Sequence, residues 1–170
     1  VKGQNDFVTK VDLKVQKIIY RELSKAREDY GFIMEEGFSE KEKSNNIWII
    51  DPIDGTLNFM HGLPYFAISI ALQVKQKIVS GIIFNQVLNE LYWAEEGIGA
   101  YLNDKRLRVS ARKTLDKSLI ALGIPFLGRA NHEKHMKMQA KVMEKVAGLR
   151  RFGAASLDLA QVASGRVDGY

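Results

Sequence analysis

The sequence has no cysteine, three prolines, three histidines and two tryptophans among its 170 residues. Without cysteine there is no disulfide framework, no thiolate metal centre and no cysteine nucleophile. That usage fits a reducing, cytoplasmic setting. Histidine is almost as scarce. His132 and His135 stand three apart in a helical pattern, but no third soft ligand lies near them, which argues against zinc. His61 reads as a loop residue and not as a base. No Gly-x-Ser-x-Gly elbow occurs, so a serine hydrolase is not indicated. Also missing is any apolar run near the ~20 residues a membrane span requires. The longest candidate, Tyr65 to Val74, is interrupted by Ser69 and Gln73 and reads as a buried strand. No charged start followed by an apolar stretch opens the sequence, so no signal peptide is legible, although Val1 is not an initiator.

A hydrophobic share of 46% and a charged share of 26% describe an ordinary soluble globular chain, expected to form one domain over residues 1–170. Its net charge of +5 conceals an asymmetry. Asp104 to Arg151 holds 13 Lys/Arg against 4 Asp/Glu, a net +9, so the remainder carries −4. The acids of that remainder gather around Glu35, Glu36, Asp51 and Asp54. Carboxylates beside a basic second half suit an anionic substrate bridged by cations, although most of these lysines read as a solvated helix face.

Element by element the chain reads as α/β. Thr9 and Asp12 resemble a capping box, and Val11, Val15, Ile18, Ile19 and Leu23 follow with helical spacing. Gly31 is expected to end that helix. Phe32 to Met34 reads as a short strand delivering Glu35 and Glu36, and residues 37–46 as a polar loop. Strands are expected at Tyr65–Val74, Ile78–Asn85, Glu90–Trp93, around Gly97–Asp104 and at Leu119–Gly123. The Gly97-x-Gly99 pair has no helix behind it and reads as strand punctuation. Helices are expected from Asn131 to Val146 and from Gly153 to about Ala163. No repeat, low-complexity tract or linker divides the chain.

The most informative segment is Ile47-Trp-Ile-Ile-Asp51-Pro52-Ile53-Asp54-Gly55-Thr56-Leu-Asn58-Phe. A hydrophobic strand runs into two carboxylates three residues apart. Pro52 biases Asp51 towards extended geometry, so Asp51 is expected to finish a strand. Gly55 permits a tight bend, and Thr56 is placed to cap the next helix. Asp51, Asp54, the Thr56 hydroxyl and the Ile53 carbonyl can then converge at a strand's carboxyl end. Hard oxygens in such a cluster suit Mg²⁺. The plainer reading, two aspartates that only cap backbone groups, is outweighed by the companion features below.

Asp-Pro-Ile-Asp-Gly-Thr with these flanks is similar to the first motif of the inositol monophosphatase family, within the Mg²⁺-dependent, Li⁺-sensitive sugar phosphatases. The resemblance runs from Lys2-Gly-Gln-Asn-Asp6-Phe-Val-Thr-Lys-Val-Asp12 to Arg166-Val-Asp168-Gly-Tyr. It implies a layered αβαβα sandwich, incomplete at the C-terminus. It also implies two or more Mg²⁺ ions, with Asp51 bridging them, Glu35 and the Ile53 carbonyl at one, and Asp54 at the other. Met34 stands where the family usually has glycine before the Glu35-Glu36 pair. Thr56 would orient the attacking water with support from Asp12, which by itself reads as a first-turn acid favoured by the helix dipole. Backbone amides at Gly55 and Thr56 would hold phosphate. Gly153-Ala154-Ala155-Ser156 matches the family's small-residue loop that approaches sugar hydroxyls; its plainer reading is close helix packing. Asp158 reads as structural.

The resemblance further implies hydrolysis of myo-inositol 1-phosphate or a similar small phosphorylated polyol, and a homodimer. Fructose 1,6-bisphosphatase and 3′-nucleotidase are the alternatives within the superfamily. Some bacterial relatives instead contact RNA or transcription complexes, for which Lys105 to Arg151 could supply phosphate contacts. The family's second motif, Trp-Asp-x-Ala-Ala, is not found up to Tyr170, nor is a helix preceding Val1. The chain is therefore expected to be a fragment, inactive as it stands.

Overall fold

Helix α1, Lys10–Ala26, starts where Thr9 accepts the amides of Val11 and Asp12 through its hydroxyl, while Asp12 accepts the Thr9 amide in return. This reciprocal box is the one the sequence predicts. The computed structural model describes residues 9–40, 44–125 and 131–170. The Lys2–Val8 part of the family resemblance and residues 41–43 of the polar loop lie outside the described residues.

The helix stops at Ala26, with Arg27 as its cap, and so ends before Gly31. Gly31 instead begins strand β1, Gly31–Met34. The helix face also differs from the expected one. Val11 and Ile18 are 40% and 45% exposed, whereas Asp12 and Gln16 are buried. The stripe that meets the sheet runs through Asp12, Gln16, Ile19, Tyr20 and Leu23, still at helical spacing but with polar members.

An eight-stranded sheet forms the body, in the order β2-β1-β3-β4-β5-β6-β7-β8. The other strands are β2 Ser39–Glu40, β3 Asn46–Asp54, β4 Ala67–Val74, β5 Lys77–Asn85, β6 Glu90–Glu95, β7 Gly99–Leu102 and β8 Lys105–Arg106. The expected loop at 37–46 thus contributes a short strand, Ser39–Glu40, paired to β1. Only β1 and β3 run parallel in this sheet. A smaller parallel sheet pairs β9, Leu119–Ala121, with β10, Gly148–Arg150. Three further α-helices, α2 Thr56–Met60, α3 His132–Met143 and α4 Ala155–Ala163, and a short 3-10 turn at Leu115–Lys117 complete the described fold.

Strand alternation decides what lies on each face. Trp48, Ile50 and Ile70 join Phe32 and Met34 beneath α1. Ala67, Tyr92 and Ile83 face the other way, against Ala154, Leu157 and Ala160 of α4 and its entry. Side chains as fully buried as Ile50 and Leu157 each contribute about 1.5–3 kcal/mol. Helix, sheet and helix therefore stack as the α/β reading expects. The second sheet joins α4 at both ends: β10 leads into it, and Gly169 after it bridges Ile120 of β9. Among the described residues, no helix is long and apolar enough to cross a membrane.

Candidate active site

Two registers bring the acids together. Strands β1 and β3 are parallel with Met34 opposite Ile50, so the next residues, Glu35 and Asp51, leave the same end side by side. The Glu35 amide donates to the Ile50 carbonyl at 3.1 Å, which ties the two exits together. Met34 and Ile50 point into the α1 core, so the alternating pleat sends Asp51 to the α4 face.

Asp54 needs a second device. Three residues along a regular strand, it would point away from Asp51. Here Asp51 pairs with Ser69 and Asp54 with Ala67, so β3 spends one residue more than β4 over this stretch. That is a β-bulge, and it returns Asp54 to the face of Asp51. Pro52 sits inside the bulge, where a strand tolerates a missing amide donor. Strand β3 thus extends through Asp54, three residues past the expected end at Asp51.

The turn after the bulge depends on glycine. Gly55 has φ +93, and a Cβ there would lie 3.0 Å from the Tyr65 carbonyl and 3.1 Å from Ala154 Cβ. Gly55 is also the N-cap of α2, with no side-chain cap, and Thr56 is the first helical residue. The expected capping role of Thr56 is therefore not found. Its hydroxyl donates backwards to the Ile53 carbonyl at 2.9 Å. Asp12 Oδ1 is 3.4 Å from the same hydroxyl. A threonine has one proton to donate, and the shorter contact holds it here. Asp12 is only 1% exposed and is fixed by Thr9 through its other oxygen.

The electrostatics of the acids are unbalanced. Burial, then the hydrogen bond and charge of Glu35, then the charge of Asp54 push the Asp51 carboxyl up to about 8. The Ile53 amide, donating to Asp51 Oδ1 at 3.0 Å, opposes this only in part. A carboxyl that its neighbours keep protonated is one a cation can claim, because the cation reverses the sign of the local field. The donors are all hard oxygens, which fits Mg²⁺. Glu35, Asp51, Asp54 and the Ile53 carbonyl are the donors that would have to hold it. Among the described residues, three acids do not close on one point. Asp54 is drawn to α4, accepting the Ala155 amide at 3.3 Å and the Ser156 amide at 2.6 Å.

The predicted loop Gly153-Ala154-Ala155 arrives against this turn. Gly153 has φ +95, and a Cβ there would meet the Asn58 side chain at 3.0 Å. Asn58 Nδ2 donates to the carbonyls of Tyr65 and Phe152, both at 2.8 Å. The rings of Tyr65 and Phe152 stack with centroids 5.1 Å apart. Tyr65 also donates its hydroxyl to the buried Asp158 at 2.9 Å, so Asp158 is structural as expected. Burial and Asp158 hold the Tyr65 phenol well above its ordinary range. Sequence reasoning missed Asn58, Ser156 and Tyr65. Asn58 lies just after the Asp51–Thr56 turn, but nothing in its spacing announces a partner as far along the chain as Phe152.

All 170 residues match the inositol monophosphatase family. An inositol-1-monophosphatase of Rhizobium meliloti (strain 1021) is 53% identical over 171 residues, covering all of this chain and 64% of its own length. The Nus factor SuhB of Haemophilus influenzae is 43% identical, over 99% of this chain and 64% of its own length. The crystal structure of the extragenic suppressor protein suhB from Bartonella henselae superimposes with a TM-score of 0.94 at 50% identity. That match covers 98% of this chain and 64% of the suhB chain. The chain thus spans slightly under two thirds of the length of these relatives. Matched from end to end, with the aspartate turn and the small-residue loop meeting as described, the chain belongs to the inositol monophosphatase family.

Proposed function

We propose that this protein is a Mg²⁺-dependent phosphomonoesterase acting on myo-inositol 1-phosphate or a closely similar phosphorylated polyol. The observation that carries the reading is the β-bulge, which turns Asp51 and Asp54 to one face beside Glu35. Two or more Mg²⁺ ions held there would acidify a water, shield the phosphoryl oxygens and stabilise the leaving alkoxide.

The chain's own residues do the rest. Asp51, Glu35, Asp54 and the Ile53 carbonyl would hold these cations. Thr56 can turn its proton from Ile53 to Asp12 Oδ1 and so present a lone pair to the attacking water. Asp12, buried and anchored by Thr9, fixes where that proton goes. The amides of Gly55 and Thr56 open α2 outside its hydrogen-bond ladder and suit phosphate oxygens. Gly153, Ala154 and Ala155 bring backbone close enough to meet substrate hydroxyls. Residues 1–170 act as one domain unit in this reading. A homodimer, lithium sensitivity and a cytoplasmic location belong to it as well.

A substrate panel tests the proposal. Phosphate release should be fastest from inositol 1-phosphate and much slower from fructose 1,6-bisphosphate and 3′-nucleotides. The reverse order moves the assignment to another branch of the superfamily.

A second reading rests on the relative named as a Nus factor and on the basic segment of residues 104–151. Part of that charge is already committed: Arg112 pairs with Asp168 and Lys137 with Glu133. Lys105 and Arg106 on β8 are exposed. RNA binding that weakens steeply with salt and survives Asp51→Asn would support this reading.

A further inference from the structure

Asp54 has a second attachment that the phosphatase reading does not use. Helix α4 begins after Ala154, whose side chain cannot cap it. Asp54, a hundred residues earlier, takes that place. Its Oδ2 accepts the Ser156 amide at 2.6 Å and the Ser156 hydroxyl at 2.5 Å, and its Oδ1 accepts the Ala155 amide at 3.3 Å. Two short bonds therefore fall on one carboxylate oxygen, while the other has a single long one. A carboxylate oxygen accepts more than one bond, so Oδ1 retains strong acceptor capacity.

We propose that Ser156 is a positioning residue. It pins Oδ2 of Asp54 to α4 so that Oδ1 alone is offered to a cation in the face shared with Asp51. The backbone amide is available whatever residue stands at 156, but the hydroxyl is not. It supplies the second donor to Oδ2 and fixes the carboxylate's rotation. Charge-assisted hydrogen bonds of this kind are the strong ones, and partners that orient a ligand typically govern metal affinity about 10–100-fold. The same bonds dock α4 against the end of β3, so cation binding and the seating of α4 share one side chain. Ser156 is also suited to this by its place: it is partly buried between the fully buried Ala154 and Leu157, which limits its freedom to turn elsewhere.

The inference rests on the proposed cation site and is tested apart from turnover. Mn²⁺ serves as probe, its free concentration followed by electron paramagnetic resonance during titration of wild type, Ser156→Ala and Ser156→Thr. Melting in EDTA checks that each variant is folded. Ser156→Ala should weaken one class of Mn²⁺ site about 10-fold and leave the rest within about 2-fold. Ser156→Thr, which keeps the hydroxyl, should stay within about 2-fold of wild type throughout. Unchanged or tighter binding by Ser156→Ala overturns the proposal, as does a threonine variant as weak as the alanine one. If wild type binds no Mn²⁺, the cation site itself is wrong and both readings fall. If wild type binds Mn²⁺ and only the variant series fails, the phosphatase reading stands and the role of Ser156 does not.

Discussion

Asn58 and Phe152 lie 94 residues apart in sequence, yet the Asn58 side-chain amide donates to the Phe152 carbonyl at 2.8 Å. Its second proton goes to the Tyr65 carbonyl at the same distance. One side chain, 4% exposed, thereby closes the aspartate turn onto the small-residue loop. Both halves of the candidate site are held by it.

Removing that amide leaves two part-buried backbone carbonyls without their donor. Asn58→Leu should destabilise the protein by roughly 2–4 kcal/mol, read from urea unfolding. Asn58→Asp, which retains the shape but loses both donors, should be no better. A loss under about 0.5 kcal/mol for either variant contradicts the bridging role.

The raised Asp51 carboxyl predicts how stability varies with pH in the absence of divalent ions. Its folded value is about 8, above the ~3.9 of an unfolded aspartate. The folded state therefore binds the extra proton. The associated stability is complete below pH ~4 and is lost as pH rises through about 8. In EDTA, wild type should lose melting temperature between pH 5 and 9 relative to Asp51→Asn, which lacks the titrating group. Mg²⁺ should restore more stability at pH 8 than at pH 5. Parallel profiles for the two proteins in EDTA would refute this.

Gly165 predicts a different kind of failure, far from the acids. It has φ +71, and a Cβ there would lie 2.8 Å from the Ser110 amide nitrogen and 3.0 Å from the Arg108 carbonyl. Around it, Arg112 donates to the Gly165 carbonyl and to Asp168, and Ser110 also donates to Asp168. Gly165→Ala should cost roughly 2–5 kcal/mol, combining left-handed strain with the clash. Chemical denaturation would show it as a lower midpoint with an unchanged slope.

How much of this was legible follows from where each partner lies. The Asp51–Thr56 turn, the Thr9–Asp12 box and the helix at Gly153 are local, and residue chemistry within six positions announces them. The bulge was not legible, because it exists only in the pairing of β3 with β4. The end of α1 misled for a related reason. Gly31 looked like a terminator, but pairing with Ile47 made it the start of a strand. The buried Asp12 and Gln16 depart from the apolar expectation for α1; Asp12 faces the Thr56 hydroxyl, while Ile19 and Leu23 pack on the core as the spacing predicts. The Ser156–Asp54 and Asn58–Phe152 bonds are not legible in the sequence, because their ends lie about a hundred residues apart.

Tyr65 offers a test of the same long-range kind. Its hydroxyl is the donor to Asp158, a carboxylate 1% exposed. Tyr65→Phe leaves that carboxylate without the bond and should cost about 1–3 kcal/mol. Combining it with Asp158→Leu should recover much of the loss, because both polar partners are then gone. A fully additive pair, measured by a double-mutant cycle, would contradict direct coupling.

The most direct test of the central claim is phosphate release from myo-inositol 1-phosphate by the complete gene product in Mg²⁺ and in EDTA, beside Asp51→Asn. Turnover should require Mg²⁺ and fall at least roughly 100-fold in the variant. Turnover that persists in EDTA, equal rates for the variant and wild type, or a folded protein inert with Mg²⁺ present would each contradict the account.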